Sequence, residues 1–320
     1  MALFLGINLL SAYISPTYGA ILAVISLLFP FSLGANLFFA IYWIIKRSNY
    51  ALLSCIMLLL SYSSFQTIIQ WGNEPIDQGI KVMTYNVRLF NLYHWKKNED
   101  TDDRMYQFLK QSSPDVLALQ EFYDDPEIQI KYPYHYKKMS PSSKGYQIGQ
   151  IIYSKFPIIK TGSLDFENST NNAIYADLLI NQDTIRFYNL HLESLRIRPT
   201  KEYIEGQDSE KLLARMEYSF EKQAQQARLV LEHQKQTNHP SVILGDFNNT
   251  SFSYVYQILS DSKKDAFVEQ GSGLARSFNH YLPLRIDFIL SPHNATVNSY
   301  TQFELDYSDH FPIEAQISFP

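Results

Sequence analysis

An α/β domain carried behind an N-terminal transmembrane helical region is the fold class this sequence predicts, on three observations. No Asp, Glu, Lys, Arg or His occurs from Met1 to Ile45, and Lys46 and Arg47 are the only charges before Glu74. In the remainder, short apolar runs stop on polar side chains, the pattern of buried strands that deliver functional groups to one sheet edge. Residues 209–236 carry Leu212, Leu213, Met216, Phe220, Ala224, Ala227 and Leu231 at spacings of three and four, one apolar stripe of a packed helix. The chain therefore divides into a membrane region over 1–71, a polar linker over 72–79 containing Pro75, and a folded domain over 80–320.

In the first part, Ala20–Ile45 is 26 uncharged residues. At ~1.5 Å per residue that is enough to cross ~30 Å of hydrocarbon, with Pro30 and Gly34 as tolerated kinks. Ala51–Trp71 is a second candidate span, more polar over Ser61–Gln70, and Leu3–Ile14 is a short third. Two or three spans are expected. A cleaved signal peptide does not fit, because there is no basic leader and the apolar region runs on too far. Lys46 and Arg47 lie in the turn between spans, flanked by Tyr42, Trp43 and Tyr50. The positive-inside rule puts that turn in the cytoplasm and the folded domain on the far side. The expectation is an integral protein of a bacterial inner membrane, its large domain extracytoplasmic and its helices in contact with lipid.

The net charge of the whole chain is −5, and both cations of the membrane region are included in it, so the folded domain is acidic. That disfavours nucleic acid as a partner, since affinity for a polyanion comes mainly from basic residues. The single cysteine, Cys55, lies in the membrane region. A metal in the folded domain must therefore use oxygen or histidine ligands.

Taken in order, Ile80–Val87 reads as a strand ending near Asn86, residues 102–111 as a helix, and Val116–Glu121 as a buried strand ending on a carboxylate. Tyr146–Ser154 is a further strand. Ala173–Ile180 and Thr184–Leu192 form a hairpin around 181–183, its second strand carrying His191. Arg196, Arg198 and Lys201 follow in a basic loop, as fit to face water as to hold a phosphate. Ser241–Leu244 is an apolar strand that stops at Gly245 and presents Asp246 and Asn248 with Phe247 between them; the period of two puts the polar pair on one side. Residues 251–260 read as a short helix. Arg285–Leu290 is a strand with Asp287 inside it, which needs a partner. Asp309 and His310 stand at the entrance to a last strand, Ile313–Ile317.

Each of these polar residues alone is an ordinary turn or core residue. Together they are the groups needed to hydrolyse a phosphate ester with an oxygen-ligated divalent cation. Glu121 would hold Mg²⁺ or Mn²⁺, since hard cations prefer carboxylate oxygen. Asp246 would orient and deprotonate the attacking water. Asn86 and Asn248 would position the water and the phosphate. His191 and His310 would supply protons or positive charge, and Asp287 would orient His310 and raise its pKa.

Thr84-Tyr-Asn-Val87, Leu119-Gln-Glu121, Asn189-Leu-His191, Gly245-Asp-Phe-Asn248, Arg285-Ile-Asp287 and Ser308-Asp-His310 occur in that order across essentially the whole folded domain. With them the chain resembles the endonuclease/exonuclease/phosphatase (DNase I-like) superfamily. The resemblance implies an α/β four-layer sandwich, two central mostly antiparallel sheets flanked by helices, with the site at their upper edge. It implies Glu121 as metal ligand, joined by Asn86 and by Asp309 as a second acidic ligand. Asp246 with Asn248 would be the water-activating pair and Asp287–His310 the phosphate-binding dyad, with His191 and Asn86 also on the substrate. The resemblance also extends to bacterial members with an N-terminal membrane region and a long insert after a His-Leu-Glu-Ser stretch, here His191–Ser194 followed by the 209–236 helix. The function implied is a membrane-anchored, metal-dependent phosphoesterase. A membrane-tethered nuclease acting on DNA or RNA, and a catalytically silent binding module on the same fold, are the alternatives.

Overall fold

The structure, a computed structural model, describes residues 1–98, 100–124, 130–142, 145–197, 206, 208–279 and 284–320. Arg198 and Lys201 of the basic loop lie outside these. Among the described residues, the strands form two six-stranded sheets and one two-stranded ribbon. The first sheet holds β13 (Thr296–Gln302), β14 (Ile313–Ser318), β2 (Ile80–Asn86), β3 (Val116–Tyr123), β5 (Gln147–Ser154) and β4 (Tyr134–Pro141), in that spatial order. The second holds β10 (Lys263–Asp265), β12 (Asp287–Pro292), β9 (Ser241–Asp246), β8 (Asp183–His191), β7 (Asn172–Ile180) and β6 (Ile158–Ser163). Both repeat one pairing pattern: a central parallel pair, β2–β3 or β8–β9, flanked on each side by antiparallel partners.

The period of two decides the layers. Val82, Val116 and Ala118 of one sheet and Phe187, Val242 and Leu244 of the other belong to one buried cluster between the sheets. The alternate residues Met83, Leu117 and Leu119 pack outward with Met105 and Leu109 of the Thr101–Ser112 helix. On the opposite face Tyr188, Leu190, Ile243 and Phe288 pack on Ala227 and Val230 of the Ser209–Gln234 helix and on Val255 and Leu259 of the Tyr254–Ser260 helix. Helix, sheet, sheet and helix make four layers, as the family resemblance implies. The expected 181–183 hairpin closes with a two-residue turn, Asn181 and Gln182 at φ 49° and 81°, the left-handed pair that matches strand twist.

Two backbone irregularities shape the upper edge. In β3 the register shifts between Leu119 and Phe122, so that Gln120 and Glu121 together oppose Gln150. Glu121 has φ 47° in this bulge. Uninterrupted alternation would turn Glu121 away from the inter-sheet side that Gln120 faces, and the extra residue re-aims it. At the end of β9, Gly245 has φ 131°, and a Cβ there would lie 2.1 Å from the Leu190 carbonyl oxygen. No other residue fits so close an approach of the parallel strands just before Asp246.

The N-terminal region differs from the expected long spans. It consists of α1 (Ala2–Ser11), α2 (Pro16–Ser26), α3 (Phe29–Ile45) and α4 (Tyr50–Leu60), followed by a five-residue helix, Tyr62–Gln66, and strand β1 (Ile69–Trp71). No single helix is long and apolar enough to cross a membrane; α2 and α3 pass that test together, bent by 56°. Pro30 falls in the first turn of α3, where its missing N–H is tolerated and a continuous helix from α2 is not. The second expected span ends early because Ser61 turns its hydroxyl back to the Leu58 carbonyl and β1 leaves to pair with β11 (Ser272–Leu274).

Placing a methyl group on Gly245 should be costly. Gly245→Ala is expected to lose ~2 kcal/mol or more through strain and the Leu190 clash. The measurement is a denaturant midpoint of the full-length protein, and an unchanged midpoint would contradict the close approach.

Candidate active site

The sequence-predicted residues converge on the upper edge, where both parallel pairs end. Asn86 closes β2 and Asp246 closes β9; Glu121 stands in the bulge of β3 and His191 closes β8. Asn86 Nδ2 donates to Asp246 Oδ2 at 3.0 Å and reaches Glu121 Oε1 at 3.4 Å, bridging the two sheets. His191 Nε2 lies 3.8 Å from Glu121 Oε1 and 3.7 Å from Asp246 Oδ2. His310 Nε2 lies 3.7 Å from the same Asp246 oxygen, and its Nδ1 is 2.8 Å from Asp287 Oδ2. Asp246 and Asp287 are directly opposed residues of β9 and β12.

Asn248 does not continue the strand. Its φ of 50° starts a left-handed turn, and its own N–H donates to Asp246 Oδ1 at 2.7 Å. The side chain still returns to the site, with Nδ2 3.3 Å from Asp246 Oδ2 and 2.9 Å from the Leu192 carbonyl. Asp309 pairs with Arg88 at 3.1 Å, and that guanidinium lies over the Trp95 ring at 4.5 Å.

Electrostatics separate the two histidines. Burial and the nearby His310 charge hold His191 below its ordinary pKa, although Asp246 and Glu193 oppose that, so it is neutral at pH 7. Burial also works against the charge on His310. The carboxylates of Asp287 and Asp246 overcome it and push the imidazole up to about 10, so His310 is a buried cation. Burial, aided by Asp287, raises Asp246 to about 6 against the pull of the two histidines. Burial and the charge of Asp309 raise Glu121 as well.

Two oxygen-rich donor groups could hold a cation. Asp246, Asp287 and His310 offer ligand atoms within 4.8 Å of one another. There, however, His310 Nδ1 is engaged with Asp287, and a protonated imidazole has no lone pair to give. Glu121 carries a half-buried carboxylate, whose oxygens suit a hard cation; the Asn86 amide between it and the Asp246 carboxylate turns its Nδ2 to both and accepts at Oδ1 from the Arg88 N–H.

Several positioning residues were not legible as such. Ser277 Oγ accepts from the N–H groups of Ile286 and Asp287, and Ser308 Oγ donates to the Asn86 carbonyl while accepting from the His310 N–H. Beneath the site, Gln120 Nε2 donates to Thr84 Oγ1 and Asn189 Oδ1, and Asn189 Nδ2 donates to the carbonyls of Leu119 and Ile151. Gln223 of the Ser209–Gln234 helix donates to the carbonyls of Glu193 and Asn248. That helix therefore does more than supply an apolar stripe. A glutamine inside such a stripe was the available signal.

A family model described as Endonuclease/Exonuclease/phosphatase family matches residues 83–310. The chain belongs to that family. Residues 1–68 match a separate model, a domain of unknown function (DUF8431). No curated protein matches the chain. Among solved structures, an endonuclease/exonuclease/phosphatase from Bacteroides vulgatus aligns with a TM-score of 0.58 at 19% identity, covering 76% of this chain and all of that one. A mannosyl-6-phosphatase from Bacteroides thetaiotaomicron aligns at 0.55 and 18%, covering 75% of this chain and all of that one. The human Nocturnin catalytic domain with bound sulfate aligns at 0.54 and 17%, covering 76% and 94% respectively. At these identities the likeness is one of fold, and the fold is the DNase I-like sandwich.

The His310 charge makes a direct prediction. Its folded pKa is raised, so its contribution to stability is complete below the unfolded value of ~6.5 and is lost as pH rises through about 10. NMR titration of ¹³C-histidine-labelled protein should show one imidazole, absent in His310→Gln, with a midpoint near 10. In Asp287→Asn that midpoint should fall toward ~6.5 or below. A midpoint unmoved by Asp287→Asn would remove the pairing from the explanation.

Proposed function

We propose that this protein is a membrane-anchored, divalent-metal-dependent phosphoesterase, hydrolysing a phosphodiester or phosphomonoester by water attack at phosphorus. One observation carries the reading: the buried Asp246 carboxylate has the His310 imidazolium 3.7 Å away, and His191 and Asn86 each reach both it and the half-buried Glu121 carboxylate, at the mouth of two sheets. Membership of the family makes phosphoester hydrolysis plausible for this chain.

Asp246 takes the proton of the attacking water. Its pKa near 6 leaves it ionised at pH 7 yet basic enough to accept, and the Asn248 and Asn86 hydrogen bonds fix where its oxygens point. His310, charged and held by Asp287, faces the phosphoryl oxygens on which negative charge builds. His191 is neutral and donates one hydrogen bond without adding charge. Two histidines with pKa values driven apart can thus hold two roles. Mg²⁺ or Mn²⁺, held by Glu121 with Asn86 and Asp309, would neutralise phosphoryl charge when bound.

The membrane part of the reading rests on an inverted burial pattern. In α1–α4 the inward positions include Asn8, Ser11, Ser26, Ser32, Asn36 and Ser54, whereas Leu3, Leu10, Phe31, Phe38, Ile45 and Leu59 are exposed. Water does not tolerate such a surface, and hydrocarbon does. We place these helices in a bacterial inner membrane, the bent α2–α3 pair crossing and the Lys46–Arg47 turn in the cytoplasm, with the catalytic domain outside.

Purified full-length protein should hydrolyse a chromogenic phosphodiester, lose turnover in EDTA, and regain it with Mg²⁺ or Mn²⁺. Asp246→Asn and His310→Ala should each lower kcat by ~10³-fold or more, measured at a temperature where circular dichroism shows each variant folded. Near-normal turnover in both variants would sink the mechanism. In cells, the protein should stay with membranes after carbonate extraction. In a Cys55→Ala background, a Ser48→Cys label site should be unreachable from outside. Recovery in the soluble fraction, or external labelling, would reject the anchoring or the orientation.

A further inference from the structure

One run of chain, residues 272–279, stands behind the Asp287–His310 dyad and has two sets of partners. Its second half faces the site. Ser277 is fully buried, and its Oγ accepts from the Ile286 and Asp287 N–H groups at 2.9 and 2.8 Å. Its carbonyl accepts from the Phe311 N–H at 2.6 Å, and the Asn279 N–H donates to the Asp309 carbonyl at 2.6 Å. Phe278 between them bridges to Leu284 and to His310, and its ring meets the His310 imidazole edge-on with centroids 5.3 Å apart. Three consecutive residues thus fix the backbone around both members of the dyad.

The first half of the run has a different support. Ser272–Leu274 is β11, and among the described residues β1 is the strand it pairs with. Ile69, Gln70 and Trp71 stand opposite Leu274, Gly273 and Ser272, and the Ala275 N–H extends the ladder to the Ile68 carbonyl at 2.7 Å. Ala275 is buried and lies two residues before Ser277. β1 falls between the two matched stretches, 1–68 and 83–310, so β11 takes its support from outside the catalytic family region. An unpaired strand of three residues frays, and displacement of a supporting group by about 1 Å can cost a reaction ~10²-fold.

We infer that β1 is a positioning element of the catalytic dyad: the strand that leaves the N-terminal helices fixes β11, and through Ser277 it fixes the Asp287 backbone and the seat of His310. The N-terminal region is then part of the working site as well as its carrier. The inference rests on the phosphoesterase reading for the role of the dyad in turnover, whereas the hydrogen-bonded path from Ile68 to Asp287 stands without it.

The test is made on full-length protein in which Ile69→Gly, Gln70→Pro and Trp71→Gly together abolish β1. Alternation from the Ile68–Ala275 bond makes Gln70–Gly273 the next bonded pair, so Gln70→Pro by itself removes a ladder N–H and is the milder variant should the triple one not fold. Gln70→Ala, which keeps that N–H, is the control. Amide hydrogen exchange should show protection lost at Ala275, Ile286 and Asp287 but kept at Tyr188 and Ile243 in the other sheet. The His310 Nδ1 proton, sheltered from exchange by its bond to Asp287, should broaden or vanish from the NMR spectrum. Turnover of a chromogenic phosphodiester should fall ~10-fold or more in kcat with KM little changed, and Gln70→Ala should match the unsubstituted protein. Ser277→Ala should reproduce these losses, and combining it with the β1 variant should add nothing, since both act on one path. Protection retained at Ala275 without β1, an unchanged His310 signal and kcat once that protection is lost, or full additivity with Ser277→Ala overturns the inference. The same exchange and NMR changes in a protein that hydrolyses no ester would keep the positioning and reject the phosphoesterase reading.

Discussion

A buried imidazolium between two carboxylates is the constraint on which the rest of this site depends. Asp246 and Asp287 oppose each other across β9 and β12 at about 1% exposure each, and two like charges so placed repel strongly in low dielectric. His310 resolves the conflict only if it is protonated and oriented toward both. The orientation comes from the Asp287 hydrogen bond, from Ser308 holding the His310 backbone, and from Ser277 holding the Asp287 backbone. Removing the cation would leave two buried carboxylates with less than their needed compensation, one of which would have to protonate. The base and the cation of the proposed chemistry are therefore one electrostatic unit.

That unit lies at a mouth because the fold repeats itself. Each sheet has a central parallel pair, and the C-terminal ends of both pairs emerge at the same edge. Asn86 and Asp246 end corresponding strands, and Glu121 and His191 stand on the other corresponding pair, Glu121 in the bulge of β3 and His191 at the end of β8. Between the sheets the filling changes from Val82, Val116 and Phe187 to Thr84, Gln120, Gln150 and Asn189 as the edge is approached. Hydrogen bonds from Gln120 to Thr84 and Asn189, and from Asn189 to the Leu119 carbonyl, tie this layer together, so the carboxylates above it stand on a cross-linked polar floor.

The catalytic fold was legible wherever a strand ended on a chemically expensive residue. Asp246 after Val242–Leu244, Glu121 at the end of an apolar run and Asp287 inside one declared themselves because burial of a carboxylate demands a reason. The layer order came from the family resemblance carried by the six motifs, while the 209–236 stripe marked only a packed helix. What did not show was geometry set by backbone conformation. The bulge that aims Glu121 has no residue-type signature, and the left-handed turn at Asn248 replaces the extended chain that alternation suggested. Gln120, Asn189 and Ser308 stood in the matching motifs without a role, and Gln223 and Ser277 stood outside them, because their work depends on which groups stand opposite them in the fold. In the N-terminal region, hydropathy located the apolar stretch, but not the break ahead of Pro30 or the departure of β1 into a ribbon with the catalytic domain.

That departure ties the apolar helices to the site. Phe29 stacks on Phe252 with ring centroids 5.2 Å apart, Thr67 and Ser251 share a hydrogen bond of 2.7 Å, and β1 pairs with β11. Ser251 and Phe252 belong to the same stretch of chain that leaves Asp246 and Asn248, and Asn249 within it is clamped by Gln223. A flexible tether would let the folded domain tumble relative to the apolar helices. Here those helices pack under the loop that follows Asp246, so that under the membrane placement proposed above their seat in a bilayer would also set how the mouth of the site is presented to it.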